Sequence, residues 1–166
     1  MARRIDRRVW LAAAAIGLGA LYGLWPRDER AVLNLLDGLC EKLNQAHDAA
    51  SLAALNEAVA HAAAPNFSVR VSELGDETRG LEEARVWSSE LLAGPPHTFS
   101  LVDAEARVEK NIARVQANLL VSERGSSEQH RDLRPTQIEL HRVGGAWLIE
   151  SIVIDSIAPE RPEARP

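Results

Sequence analysis

The chain has 166 residues, 19 basic against 24 acidic side chains, 46% hydrophobic residues and one cysteine. That length and apolar content support one folded domain and exclude a disordered or collagen-like chain, and the lone cysteine excludes a disulfide framework or a cysteine-built zinc site. The net charge of −5 argues against nucleic acid as the main partner, because phosphate binding needs a basic surface.

That charge is unevenly spread. Arg3, Arg4, Arg7 and Arg8 against Asp6 give residues 1–8 a net of +3, which leaves −8 for residues 9–166. Val9 to Trp25 (VWLAAAAIGLGALYGLW) is an uncharged run of 17 residues directly after the arginines. As a helix it is about 25 Å long, at the short end of the membrane-spanning range. Trp10, Tyr22 and Trp25 sit near its ends, where amphipathic rings favour the headgroup region. The arginines predict a cytoplasmic tail over residues 1–8, a signal anchor over 9–25 and an inner-membrane protein whose remaining chain is periplasmic. A cleaved signal peptide fits the same flanks, although no convincing A-x-A site precedes Trp25. Gly19 and Gly23 form a G-x-x-x-G pair that would let two such helices pack closely. Glycine is also common in membrane spans for other reasons.

Beyond Pro26, Val32, Leu35, Leu36, Leu39, Cys40 and Leu43 recur at helical spacing. Asp48 or Ser51 can cap a second helix with Leu52, Leu55 and Val59 on its buried face. Phe67, Val69 and Val71 alternate with polar residues as a short strand, and residues 73–80 read as a polar turn. Leu81, Ala84, Leu91 and Leu92 mark a third helix, stopped by Gly94-Pro95-Pro96. The period then becomes two. Val102, Ala104, Ala106 and Val108 alternate with Asp103, Glu105 and Arg107; Val115, Ala117 and Leu119 alternate with Arg114, Gln116 and Asn118. A polar loop over 122–134 leads to a strand over Thr136–Val143, and Gly144-Gly145 turns it into a last strand, Trp147–Ile157. The tail 158–166 is too rich in proline and charge to fold. The order predicts an α+β domain over 26–157, with three helices packed on a curved, mostly antiparallel sheet.

Four short motifs in this order resemble the nuclear transport factor 2-like superfamily of cone-shaped domains, also called SnoaL-like. Leu43-Asn44 is similar to its "LN", and Ala64-Pro65-Asn66-Phe67-Ser68-Val69 to its "APDxxV". Arg79-Gly80-Leu81-Glu82-Glu83 resembles its third-helix start, and Leu140-His141-Arg142-Val143-Gly144-Gly145-Ala146-Trp147-Leu148-Ile149 its closing "L-x-R-V-x-G-x-W-x-I" hairpin. The stretch between Asn44 and Pro65 is longer than in compact members. The resemblance implies a cone whose mouth can take a small apolar ligand and a sheet through which many members dimerise. In the steroid-isomerase branch, a proton-abstracting Asp and a hydrogen-bonding Tyr would fall on Val71 and Leu39 here. Neither aliphatic side chain can carry a proton or stabilise an oxyanion. The resemblance extends to secretion-system components that tether such a domain to one N-terminal span.

Chemistry sought independently of that resemblance is sparse. His47, His61, His97, His130 and His141 show no metal-ligand spacing, so neither a metal nor a cofactor is expected. Cys40 lies on an apolar stripe and reads as a small buried hydrophobe. If the polar strand faces turned inward, Asp103, Glu105, Asn118 and His141 would line a pocket, with His141 and Asp103 or Glu105 as base and partner. Facing outward, they would form a solvated or partner-binding sheet surface. Trp87 is a candidate for the pocket rim or the core, and Asp155 is a charge within an apolar strand. The sequence thus predicts a membrane-anchored binding or assembly module, with catalytic residues none. The alternatives are a hydrolase or isomerase using the pocket, or a secreted ligand-binding domain.

Overall fold

The computed structural model describes residues 27–156 except 74, 76, 94, 95 and 124–130. The predicted span over 9–25, with Gly19 and Gly23, and the tail over 158–166 therefore lie outside the described residues. Among the described residues no helix is long and apolar enough to cross a membrane.

Three helices and six strands, five of which follow the predicted order, make up the described chain: α1 (Arg27–Gln45), α2 (Ala49–Ala62), β1 (Ala63–Val71), β2 (Glu77–Arg79), α3 (Gly80–Ala93), β3 (His97–Glu109), β4 (Ile112–Glu123), β5 (Arg131–Val143) and β6 (Ala146–Ile154). They form one α+β unit with a sheet of order β2-β1-β6-β5-β4-β3. The last four strands are an antiparallel meander. The sheet is mixed because β6 pairs parallel with β1 on its other side. The predicted polar turn over 73–80 contains a short strand, β2, which pairs antiparallel with β1.

α1 buries the stripe its sequence prescribes, with Val32 and Leu36 innermost. Asp48 caps α2: its carboxylate accepts from the Ser51 backbone N–H at 2.8 Å, and the Ser51 hydroxyl accepts from the Asp48 N–H at 3.1 Å. Such a box satisfies two donors that a helix start would otherwise leave open. Gly144 and Gly145 carry φ of 59° and 90°, the left-handed pair that a two-residue hairpin requires and other residues resist. The core lies between the helices and one face of the sheet and includes Val115, Leu140, Ile149 and Trp147.

Two bulges set which side chains reach that core. In β6, Glu139 of β5 pairs with Ser151 while Leu140 pairs with Ile149, so Glu150 is an extra residue. It reconciles Trp147 and Ile149 with Ile152 and Ile154, two apolar pairs of opposite parity that all face inward. In β3, Val102 pairs with Asn118 and Glu105 with Gln116, so Asp103 and Ala104 together oppose Ala117. Asp103 takes a left-handed φ of 52°, a conformation Asp tolerates better than most residues. The regular alternation read from the sequence is therefore interrupted. Leu101 precedes the bulge and Ala104, Ala106 and Val108 follow it on the core side, while Val102 shares the outer face with Asn118.

Candidate functional site

The inner face of the sheet and the three helices enclose a cavity of about 220 Å³. α1 contributes Leu36, Leu39, Cys40 and Leu43, and α2 contributes Leu55, Asn56 and Val59. Phe67 and Val69 of β1, Phe99 and Leu101 of β3, and Ile138, Ile149, Ile152 and Ile154 of the central strands form the opposite wall. The lining is mostly apolar because most of the helical residues three or four apart and alternate strand residues that face it are aliphatic or aromatic. Asn56, Arg85, Ser88 and Thr136 are the polar exceptions.

Few polar groups touch this space. The Thr136 hydroxyl donates to the Arg134 carbonyl at 3.0 Å and is already satisfied. Arg85 borders the cavity, but its Nη1 donates to Glu82 at 2.7 Å on the exposed side of α3. Its Nε is buried without an acceptor among the described residues. The Cys40 thiol is pushed up by burial and further by the Asp37 carboxylate, against a hydrogen bond with the Leu101 backbone. It is therefore a neutral, weakly nucleophilic group. Leu39, where the resemblance would put the isomerase tyrosine, lines the cavity as an aliphatic wall. Val71, where the resemblance would put the isomerase aspartate, pairs with Ile154 at the end of β1.

The polar strand residues lie elsewhere. Asp103 is exposed on its bulge, and Glu105 borders a depression on the outer sheet face with Arg107, Glu109 and Arg114. Asn118 is half-buried on that face, paired with Val102 and Pro135. His141 sits two strands away from β3, with Nε2 at 3.2 Å from Glu139 Oε1 and 2.8 Å from Glu150 Oε2. Asp155 lies just past β6, where its carboxylate accepts from the Ser72 hydroxyl at 3.0 Å. None of these five borders the cavity. Trp87 belongs to α3, but its side chain is outside the described set.

The outer cluster also includes Arg114, whose Nε donates to Glu139 Oε2 at 3.1 Å. Partial burial raises the Glu139 carboxyl, but the hydrogen bonds and charges of Arg114 and His141 outweigh it and leave the group below its ordinary value. Sequence reasoning singled out His141 and missed Glu150. The parity break between Ile149 and Ile152 was the available signal for the bulge that brings Glu150 to it.

The sequence matches no family model and no curated protein. Solved structures do match. An NTF2-like protein of unknown function from Pseudomonas putida superposes with a TM-score of 0.63 at 12% identity, covering 81% of this chain and 89% of the other. A protein from Novosphingobium aromaticivorans, provisionally named an aromatic ring hydroxylase, gives 0.64 at 16% identity over 81% and 92%. One from Parabacteroides distasonis, provisionally named a ketosteroid isomerase, gives 0.53 at 17% identity over 74% and 85%. Likeness at such identities speaks for architecture and not for activity. The three helices, the mixed six-stranded sheet and the cavity between them are the nuclear transport factor 2-like fold.

Proposed function

We propose that this protein is a membrane-tethered, non-catalytic binding or assembly module whose cavity holds a compact apolar molecule. The observation that carries this reading is the lining: a cavity of about 220 Å³ with no carboxylate or imidazole on its wall. Proton transfer, nucleophilic attack and oxyanion stabilisation each need a polar group within hydrogen-bond reach of the reacting atom. Asn56, Arg85, Ser88 and Thr136 bring amide, guanidinium and hydroxyl donors to the wall. No general base stands among them and Cys40 is a neutral thiol, so proton abstraction and an activated nucleophile are lacking. The isomerase-like fold relative favours no second reading, because Leu39 and Val71 fall where the resemblance would place its tyrosine and aspartate.

In this reading residues 9–25 anchor the chain in a bacterial inner membrane, with residues 1–8 in the cytoplasm and the domain in the periplasm. The domain acts as a homodimer or with another protein partner. Native mass spectrometry of the protein purified from membranes tests the binding role. The expected result is a complex with a small apolar molecule that leaves the protein chemically unchanged. Release of a converted product would contradict it. Sequencing the mature N-terminus tests the anchor: an intact start supports it, and a start near Ala20 or later means a secreted domain.

A further inference from the structure

We propose that Glu139, His141 and Glu150 form a binding site for one divalent cation of the zinc type on the outer face of the sheet. It lies on the face opposite the cavity and does not depend on the cavity's role. Glu139 and His141 are two residues apart on β5, so both project from the same face. The bulge at Glu150 brings a third ligand from β6 to that face. The donor atoms His141 Nε2 and one oxygen of each carboxylate lie within 4.8 Å of one another.

The spacing suits a tetrahedral ion. Metal–ligand bonds of about 2.0–2.2 Å place neighbouring ligand atoms roughly 3.3–3.5 Å apart. Two of the three separations, 3.2 and 2.8 Å, are close to or below that, and the third is no more than 4.8 Å. An ion would replace the Nε2 proton, which a single N–H cannot share well between two carboxylates. Each carboxylate is also held from behind by its other oxygen. Arg114 donates to Glu139 Oε2 and Asn66 to Glu150 Oε1. Outer partners of this kind fix the direction of metal-binding carboxylates.

The three side chains are 28–38% exposed, which leaves an entry path and a fourth position for water. One imidazole with two carboxylates favours zinc, cobalt or nickel over magnesium or calcium, which prefer oxygen alone. A double positive charge also offsets the two carboxylates.

Calorimetric titration of the full chain with Zn²⁺ alone tests this. We expect saturable one-to-one binding that persists in excess Mg²⁺. The His141→Ala and Glu150→Gln variants should each bind roughly tenfold or more weakly. His61→Ala, on the exposed face of α2 beside Glu57, should bind as the parent does. Co²⁺ should give the visible absorption of a tetrahedral site, lost in Glu150→Gln. Glu150→Gln preserves side-chain shape, so it decides the matter if His141→Ala does not fold. The proposal is overturned by the lack of saturable binding up to millimolar Zn²⁺, or by unchanged affinity in Glu150→Gln.

Discussion

Asn44 shows how one side chain can close an edge. β3 ends the sheet, so alternate backbone groups along it have no strand partner. The Asn44 amide supplies one at Phe99, donating to its carbonyl at 2.8 Å and accepting from its N–H at 2.7 Å. Asn44→Ala leaves both half-buried groups unpaired and should cost about 1–3 kcal/mol in urea unfolding. A loss below measurement error would contradict this account. Leu140 is fully buried at the centre of the core, and Leu140→Ala should cost about 2–5 kcal/mol in the same assay. Asp48 supplies a pH signature. The Ser51 backbone N–H, and then its hydroxyl, hold the Asp48 carboxyl below the usual carboxylate range. A carboxylate depressed in the folded state stabilises above its unfolded pKa and loses that contribution as pH falls through the folded value. Asp48→Ala should therefore melt below the parent at neutral pH, with the gap closing in acid. A gap independent of pH would contradict the capping role. Leu43-Asn44 was visible in the sequence as a motif, but Phe99 lies 55 residues away and no local pattern announces the pairing.

At the scale of elements, helix periodicity and turn chemistry were legible because both are local. The Val32–Leu36 stripe and the Gly144-Gly145 turn needed only neighbours in the chain to read. The bulges at Asp103 and Glu150 were not read, since a bulge becomes visible only against the strand it pairs with. The parallel pairing of β1 with β6 was hidden for the same reason, and β2 was hidden by its three-residue length. These devices decide which residues meet. Without the extra residue in β6, Ile152 and Ile154 would turn away from the core and Glu150 would leave His141. Deleting Glu150 should therefore lower the melting temperature far more than Glu150→Gln does. Equal melting temperatures would mean that the strand tolerates the shifted register. The outward turn of the polar strand faces was the favoured reading from the sequence, because the apolar alternate residues belong against the helices. Alternation separates the two faces, and the apolar one is the one the helices cover, except at Val102, which the β3 bulge leaves on the outer face.

For the whole molecule, the layered arrangement divides its two surfaces by chemistry. The helix side holds an apolar cavity, while the outer sheet face holds Glu105, Arg107, Arg114, Glu139, His141 and Glu150. The resemblance to the nuclear transport factor 2-like architecture was readable from four short motifs. The resemblance implied a pocket but not its lining, because the wall draws on residues from Leu36 to Ile154 that only the fold brings together. An apolar cavity of roughly 150 Å³ takes benzene, so this one suits a molecule of about ten heavy atoms. Calorimetric titration with naphthalene, on the parent and on Leu39→Trp, tests the binding role most directly. The account predicts saturable one-to-one binding with a negative heat-capacity change to the parent. It also predicts that Leu39→Trp, which fills the space from α1, loses that binding while still melting cooperatively. Absence of saturable binding to the parent, or equal affinity in Leu39→Trp, would contradict it.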